Sequence, residues 1–528
     1  VPSLSRILAA CLSGALLALI SAPASLHGLH WFSLVPLLWA LRPGDGRGNA
    51  FLGYLSGYMS LHFCFYWLAE TVVRFSSLHA LLASFTLHLH SAAYALPYIA
   101  VFGLVLPLRR RYGTWWVLLV PALQVANEYL TPVLFPYYQG APQYRAPWVW
   151  QLASVTGVYG VSFLVFLSNC ALAECVYRRR EGRRLPWGAL ALTATLLAGN
   201  LLYGRARISS VERVLTEAPR LRVAMLQEGV TMEERMAQSA RKGLLSWFEM
   251  TARLAGQSFD LLIWPEGASP YNPHEGNLKK TLAEMTTHGG FDLIIGGGTR
   301  ESVDDPVTKT RHYTWYNSCY LMNRRGEIAG RYDKMVPLPF GEYLPFAETF
   351  PFLYDLIDGP GNFKAGTNPT LFEAEGTTFA TPICYEAILP RAIRRLQEAD
   401  VFVNITNDAW FGDTAAPHQH AMLAVARAVE FGRPMVRVAY TGVNMIVEPH
   451  GRVVYETSPF TEAAEVVELR LGKVDTPYRR WGDLFAFACL ALSGLSIALL
   501  GLPSRRGQQA SIPASPGFPR DARADAVG

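Results

Sequence analysis

Phe379-Ala-Thr-Pro-Ile-Cys-Tyr-Glu386 decides how the polar middle of this chain folds. An apolar strand-like run, expected over Phe379–Cys384, ends on a cysteine. A helix-like pattern, Ala387–Glu398, follows. In open α/β sheets, functional groups sit where strands end. A helix N-terminus just past Cys384 is expected to lower its thiol pKa and to offer N–H groups to an oxyanion. For a lone cysteine, buried packing is the ordinary explanation, so Cys384 needs partners before it means chemistry.

Other short, β-branched runs share this pattern: Arg222–Gln227, Leu261–Trp264, Leu293–Ile295, Ser318–Met322, Val401–Ile405, Met435–Ala439 and Met445–Val447. Helical patterns Gly243–Leu254 and His420–Phe431 lie between some of them. Strands alternating with helices predict an α/β domain, here spanning residues 205–480. Two further segments place chemistry at strand ends. Leu261-Leu-Ile-Trp-Pro-Glu266 closes an apolar strand with a carboxylate. Arg331-Tyr-Asp-Lys-Met-Val-Pro-Leu-Pro-Phe-Gly-Glu-Tyr343 is a proline-stiffened loop holding Lys334 and Glu342. Each alone reads as a cap or a surface charge. Together Glu266, Lys334 and Cys384 supply a base, a cation for an oxyanion and a nucleophile, the set that acyl transfer needs, without histidine.

On either side the composition changes. Hydrophobic residues make up 51% of the 528 and charged residues only 17%, a balance unusual for a soluble chain of this size. Seven apolar runs precede the α/β region: Ile7–Ile20, Leu26–Leu41, Ala50–Ala69, Leu81–Leu108, Trp115–Leu134, Leu152–Tyr177 and Trp187–Tyr203. One follows it, Leu484–Leu502. Most approach or exceed the roughly 17–25 residues that cross a bilayer. The expectation is a multi-pass α-helical membrane domain of about eight transmembrane helices, seven over residues 1–204 and one over 481–503.

Arg42, Arg47, Arg109 to Arg111, Arg178 to Arg180, Arg183, Arg184, Arg505 and Arg506 fall in alternate connections. Arg74 and Arg145 are the exceptions before the domain, and Arg479 with Arg480 sits just ahead of the last run. By the positive-inside rule the Arg-rich loops and both termini are cytoplasmic and the α/β domain is outside. The tail, residues 504–528, is rich in Pro, Ala, Gly and charge and is expected to be disordered. Glu128 and Glu174 are carboxylates in apolar spans, costly unless paired; Arg178, four residues on from Glu174, is the expected partner. The net charge of +5 gives no case for nucleic acid. No Cys or His spacing suggests a metal, His418 and His420 are expected to be hydrogen-bonded structure, and no cofactor is expected.

These segments resemble the carbon–nitrogen hydrolase (nitrilase) superfamily, whose Glu–Lys–Cys order they share. With the surrounding apolar runs they are similar to a narrower family, the bacterial apolipoprotein N-acyltransferases. Supporting matches are Thr156-Gly-Val-Tyr-Gly-Val-Ser-Phe163, Tyr332–Tyr343, Asn404-Ile-Thr-Asn-Asp-Ala-Trp-Phe-Gly412, and His418-Gln-His420 leading to Arg427, Glu430 and Arg433. The resemblance implies an inserted αββα sandwich. It implies transfer of an acyl chain from a phospholipid, usually phosphatidylethanolamine, through a cysteine thioester to the α-amino group of a diacylglyceryl-cysteine at a lipoprotein N-terminus. It implies a multi-pass protein of the bacterial inner membrane with a periplasmic catalytic domain. By the same resemblance Glu266 is general base, Lys334 oxyanion stabiliser and Cys384 nucleophile. Glu342 orients Lys334, Tyr385 and Glu386 flank the nucleophile, and Trp410 lies in a loop near the lipid entrance. Met236 stands where the family often has a tryptophan, and Glu430 and Arg433 read as braces of the fold. The alternative is a membrane-tethered nitrilase-like amidase with water as acceptor.

Overall fold

The computed structural model describes residues 2–76, 80–304, 311–347, 349–350, 352 and 362–502. The tail from residue 504 lies outside them.

Four helical stretches among the described residues are long and apolar enough to cross a membrane: Ala80–Leu130, Val158–Arg180, Trp187–Glu217 and Leu484–Gly501. Leu4–Ile20 is a shorter apolar helix. The first stretch is two helices, Ala80–Tyr112 and Trp116–Leu130. At 1.5 Å per residue, the 33 residues of Ala80–Tyr112 span about 50 Å, well over the ~30 Å of a hydrocarbon core. The run Ala50–Ala69 divides into the helix Gly46–Cys64 and the start of Trp67–Ser76.

The expected span Leu26–Leu41 is not one helix. It is a tight turn, His27–Trp31, followed by Val35–Ala40. Its end nevertheless lies beside the start of the first helix: Arg6 donates to the Ala40 carbonyl (2.7 Å), to Asp45 (2.6 Å) and to Asn49 (3.0 Å). Broken backbone is tolerated at membrane depth only when buried in protein that satisfies it. Here Asn169 accepts from the Leu34 N–H (2.8 Å) and donates to the His30 carbonyl (2.8 Å), while the Ser13 hydroxyl accepts from the Leu37 N–H (3.0 Å).

Arginines gather at one end of this helical region. Glu174, nearly fully buried, accepts from Arg109 (2.6 Å), Arg178 (2.9 Å) and the Trp116 indole (2.8 Å). The pairing with Arg178 is the one expected, and Arg109 and Trp116 complete it. Arg180 stacks on Trp39, 4.7 Å from its ring centroid. Tyr112 reaches the Ser496 carbonyl (2.7 Å), which puts the end of the C-terminal helix there too.

The α/β region is a sandwich of two six-stranded sheets. The first has the order β12-β1-β2-β3-β4-β5, with β1 Arg220–Gln227, β2 Leu261–Ser269, β3 Asp292–Asp304, β4 Arg311–Met322, β5 Ile328–Asp333 and β12 Ala463–Arg470. The second has the order β11-β10-β9-β8-β7-β6, with β6 Leu371–Ala374, β7 Thr377–Ala380, β8 Val401–Thr406, β9 Met435–Ala439, β10 Met445–Val447 and β11 Val453–Glu456. β1, β2 and β3 run parallel, as do β7, β8 and β9. Parallel strands need cover on both faces, which is why β8 is buried along its whole length. Val223, Ile263, Ile294, Val401 and Val436 fill the space between the sheets. Trp247 and Met250 of the helix Ala240–Ala252, with Leu282 of Gly276–Gly289, cover the outer face of the first sheet.

The helix Ala416–Phe431 covers the second sheet, and His418 alone of its residues is not buried. Burial on all sides is explained by what it faces: sheet on one side, membrane helices on the other. Gln419 accepts from the Trp67 indole (3.1 Å) and donates to the carbonyls of Cys64 (3.0 Å) and Ala22 (3.2 Å). Glu430 accepts from the Val158 N–H (3.0 Å) and pairs with Arg427 (2.8 Å), while Arg433 donates to the Ala399 carbonyl (2.8 Å). Both act as the braces expected. The helix Trp187–Glu217 runs without a break through the expected domain boundary at 204 and delivers the chain to β1.

Candidate active site

Glu266 sits near the C-terminal end of β2, Lys334 immediately after β5, and Cys384 at the start of the turn Cys384–Ile388 that follows β7. The two sheets bring these ends together.

Lys334 is almost fully enclosed, at 2% exposure. Its Nζ lies 2.6 Å from Glu342 Oε2 and 3.5 Å from Glu266 Oε1. Burial alone works against an ammonium, but the two carboxylates outweigh it and raise the pKa above the ordinary lysine value, so Lys334 is a fixed cation. Asn317 of β4 bridges the carboxylates, its Nδ2 donating to Glu266 Oε1 and Glu342 Oε1 at 2.6 Å each. The Asn407 N–H donates to Glu266 Oε2 (2.8 Å) and the Leu338 N–H to Glu342 Oε2 (2.7 Å). Burial, with the nearby Glu342 charge adding to it, raises the Glu266 pKa above the ordinary carboxylate value, and Lys334 opposes both. A carboxylate shifted that way is a better match to a proton on sulfur than an exposed one.

Cys384 adopts φ +52°, a left-handed conformation that costs a non-glycine residue about 1–2 kcal/mol. Strain of this kind persists only where the surroundings fix it. Much of that fixing comes from Glu386. Its carboxylate accepts from Tyr332 Oη (2.8 Å) and from the N–H groups of Met335 (2.7 Å), Val336 (2.9 Å) and Ile383 (2.8 Å). One side chain thus ties the lysine loop to the cysteine turn. The Cys384 pKa is pushed up by burial and by the Glu266 charge, with Lys334 and a hydrogen bond to Thr406 pulling the other way. The resting group is therefore a thiol, and it needs a base at the moment of attack.

One expectation fails here. No long helix begins after Cys384. A single tight turn, Cys384–Ile388, leads to the five-residue helix Pro390–Arg394. Leu389-Pro390 breaks the helical pattern, because proline disfavours helical backbone at the residue before it. A helix dipole is not what tunes this thiol.

The remaining expected residues take distinct places. Tyr385 donates to the Leu134 carbonyl (2.6 Å) and packs its ring on Phe135, 6.0 Å between centroids, tying the cysteine turn to the segment that follows the helix Trp116–Leu130. Trp410 lies half-buried in the turn Ala409–Phe411. Its neighbour Phe411 packs edge-on against Trp67 (5.3 Å) and Phe135 (5.9 Å). Met236 is the penultimate residue of the short helix Met232–Ala237 and is 72% exposed; the adjacent Arg235 donates to the Gly267 carbonyl, one residue past Glu266 (2.8 Å). Cys319 lies in the core between the sheets, its thiol pushed up to about 12 by burial.

Sequence reading passed over Asn317, Arg437 and the pairing that joins a polar layer behind the cysteine. In that layer Asp408 Oδ1 meets His420 Nδ1 (2.8 Å), Asp408 Oδ2 meets Arg437 Nη2 (2.7 Å), and Arg437 also donates to Asn404. Burial works against the Asp408 charge, but Arg437 and His420 outweigh it and hold its pKa at about 2. His420 is thus hydrogen-bonded structure, as expected.

A two-sheet sandwich that carries a glutamate, a lysine and a cysteine on converging strand ends defines a carbon–nitrogen hydrolase, and residues 222–477 match the Carbon-nitrogen hydrolase family. Residues 13–171 match the Apolipoprotein N-acyltransferase N-terminal domain. The chain belongs to the apolipoprotein N-acyltransferase family. It is 33% identical over 508 residues to an apolipoprotein N-acyltransferase of Geobacter metallireducens, covering 93% of this chain and 94% of that one. It is 30% identical over 542 residues to one of Allorhizobium ampelinum, covering 95% and 97%. Among solved structures, an amidase from Nesterenkonia sp. aligns with 51% of this chain and 95% of its own, at 18% identity and a TM-score of 0.37.

Proposed function

We propose that this chain is a phospholipid–apolipoprotein N-acyltransferase working by a ping-pong mechanism, with Glu266, Lys334 and Cys384 as its catalytic residues. The observation that carries the reading is the docking of the cysteine turn onto the segment leaving the apolar helix Trp116–Leu130: Tyr385 meets Leu134 and Phe135 there, which sets the nucleophile's own segment beside the apolar region from which lipid substrates would arrive.

Glu266 takes the thiol proton as Cys384 Sγ bonds to the carbonyl carbon of a phospholipid ester. Lys334 Nζ faces the oxyanion that forms. The C–O bond then breaks, Glu266 returns the proton to the departing alkoxide, and a lysophospholipid leaves behind a thioester. In the second half the α-amino group of a diacylglyceryl-cysteine attacks the same carbonyl. A C–N bond forms, the C–S bond breaks, and the amine proton returns to sulfur by way of Glu266. Glu342 holds Lys334, Glu386 holds the cysteine turn, and Trp410 lies in the loop beside the acyl path. Phosphatidylethanolamine is the donor most in keeping with the family, and no cofactor or metal enters the scheme. An enclosed site disfavours hydrolysis of the thioester, which favours an amine acceptor over the water an amidase would use.

The purified enzyme incubated with phospholipid alone is expected to release lysophospholipid and to gain the mass of one acyl chain, removable by neutral hydroxylamine. An adduct that decays by hydrolysis as fast as it forms, with no acceleration by a diacylated lipopeptide, would favour the amidase. Lipopeptide acylation by a wild-type enzyme that never carries an adduct would overturn the ping-pong order.

The domain division proposed is membrane domain 1–204, periplasmic catalytic domain 205–480, final span 481–503 and cytoplasmic tail 504–528, with the helix Trp187–Glu217 running across the first boundary. Eight crossings of the bacterial inner membrane put both termini inside. The arginines gathered at the end opposite the catalytic domain support this orientation by the positive-inside rule. A single cysteine placed at Asn272 is expected to react with an impermeant maleimide on intact spheroplasts, and one placed at Gly182 only after lysis. The reverse pattern would invert the topology.

A further inference from the structure

Attack by Cys384 creates a thiolate twice, once on the way into the thioester and once when the thioester collapses. Lys334 is committed to two carboxylates and to the oxyanion. The thiolate therefore needs a donor of its own, and the strand beside the cysteine turn supplies a candidate.

Ile383 bridges to Ile405 of β8 in parallel, which sets Cys384 beside Thr406, the last residue of that strand. The register is locked by Asn404, whose side chain donates to the Pro382 carbonyl (2.9 Å) and more weakly to that of Cys384 (3.5 Å). Thr406 is fully buried. Its hydroxyl donates to Asp408 Oδ1 (3.2 Å), and the strand pairing sets the same side chain beside the Cys384 thiol, whose pKa it works to lower. So one rotatable O–H stands between the nucleophile and a buried carboxylate. That carboxylate keeps two strong partners, Arg437 and His420, when the hydroxyl turns away.

We propose that Thr406 is a further catalytic residue, a thiolate donor: its hydroxyl points to Asp408 while Cys384 is a thiol and swings to donate to Sγ when Glu266 removes the proton. No proton leaves Thr406. The O–H changes acceptor as charge appears on sulfur, and changes back when sulfur is acylated. Asp408 then has a reason to be so firmly clamped. Its charge acts on the thiol to oppose ionisation, and Arg437 and His420 together limit that opposition while leaving an acceptor for the resting hydroxyl. The groups whose charge bears on Cys384 are therefore Glu266 after β2, Lys334 after β5 and Asp408 after β8, with His420 and Arg437 acting through Asp408. This proposal rests on the thioester reading above for its role in catalysis, but its first test needs no substrate.

Alkylation of Cys384 by iodoacetamide across pH is measured in the full-length enzyme with the other six cysteines replaced by serine or alanine. Thr406→Ala and Thr406→Ser are compared, since they differ in the hydroxyl alone. Thr406→Val keeps the shape and the β-branching that suit a buried strand. A hydrogen bond to a charged group is worth roughly ten- to a hundredfold. In Ala and Val the alkylation midpoint is expected to rise by about one to two pH units, and Ser is expected to stay near wild type. Donor-only thioester formation is expected to slow by about ten- to a hundredfold in Ala and Val, with KM for phospholipid unchanged and Ser again close to wild type. Equal losses in Ala and Ser, or an unshifted alkylation profile in Ala, would reduce Thr406 to packing and overturn the proposal. If the shift in alkylation holds but no variant, nor wild type, forms a thioester, it is the acyltransfer reading that fails and the hydroxyl's role at the thiolate that survives.

Discussion

Cys384→Ser is expected to carry no acyl chain after incubation with phospholipid and to acylate a lipopeptide slower than wild type by on the order of 10⁴-fold or more. The substitution is close to isosteric, so the turn should survive with Glu386 holding it by four hydrogen bonds. What fails is ionisation. The proposed base is a carboxylate, Glu266, raised by burial, and a carboxylate is too weak a base for a serine hydroxyl. A thiol is within its reach, and an alcohol is not. His420 is no substitute base, because its Nδ1 is committed to Asp408 and its pKa is lowered by burial and by Arg437. Cys319→Ser is the control. That thiol packs between the sheets beside Thr381, and its loss is expected to leave activity within a few-fold of wild type. The paired readout is intact mass after donor-only incubation and rate of lipopeptide acylation. An adduct on Cys384→Ser, or its loss in Cys319→Ser, would move the nucleophile elsewhere.

The three residues proposed for catalysis were legible because their signal is local. Glu266 closes an apolar strand, Lys334 stands in a proline-stiffened loop and Cys384 follows an apolar run, and each of these signals can be read from a handful of residues. The arginine asymmetry was legible for a related reason: a cationic loop beside an apolar run needs no tertiary knowledge. The failures share a cause as well. Leu26–Leu41 has the composition of a span, but Asn169 and Ser13, which replace its missing helical hydrogen bonds, lie far away in sequence. The pattern Ala387–Glu398 has helical spacing, yet a single proline at 390 and the four-way demand on Glu386 turn its start into a tight turn. Asn317 and the Asp408–His420–Arg437 layer are invisible in one dimension, since each group gains meaning from a partner on another strand or helix. The all-round burial of Ala416–Phe431 is the same lesson at larger scale. Its sequence reads as an ordinary covering helix, and only the docking of Gln419 and Glu430 explains why nearly every face is apolar or paired.

Lys334→Arg is expected to lose about 10²–10³ in acylation rate, the usual consequence of removing one oxyanion donor. The ammonium sits 2.6 Å from Glu342 and 3.5 Å from Glu266 in a space with almost no exposure. A planar guanidinium retains the charge but not the shape, so it displaces either a carboxylate or the acyl carbonyl. Lys334→Met goes further, because it leaves the buried Glu266 and the partly buried Glu342 joined through Asn317 without their ammonium. Stripping one partner from a buried ion cluster typically costs about 3–5 kcal/mol. That cost should depend on pH in a definite direction. Without Lys334, burial and mutual repulsion favour the protonated carboxyl, so its folded-state pKa stands further above the unfolded value. The stability of Lys334→Met is therefore best at low pH, where that carboxyl is protonated in both states. It is lost progressively as the pH rises through the raised folded-state pKa. Thermal unfolding of detergent-solubilised wild type and Lys334→Met from pH 5 to pH 8 tests this, with the gap in Tm expected to widen toward alkaline pH. A gap that stays constant, or narrows, would mean that Lys334 does not neutralise Glu266 and Glu342 in the folded enzyme, and its role as the fixed cation of the site would fall with it.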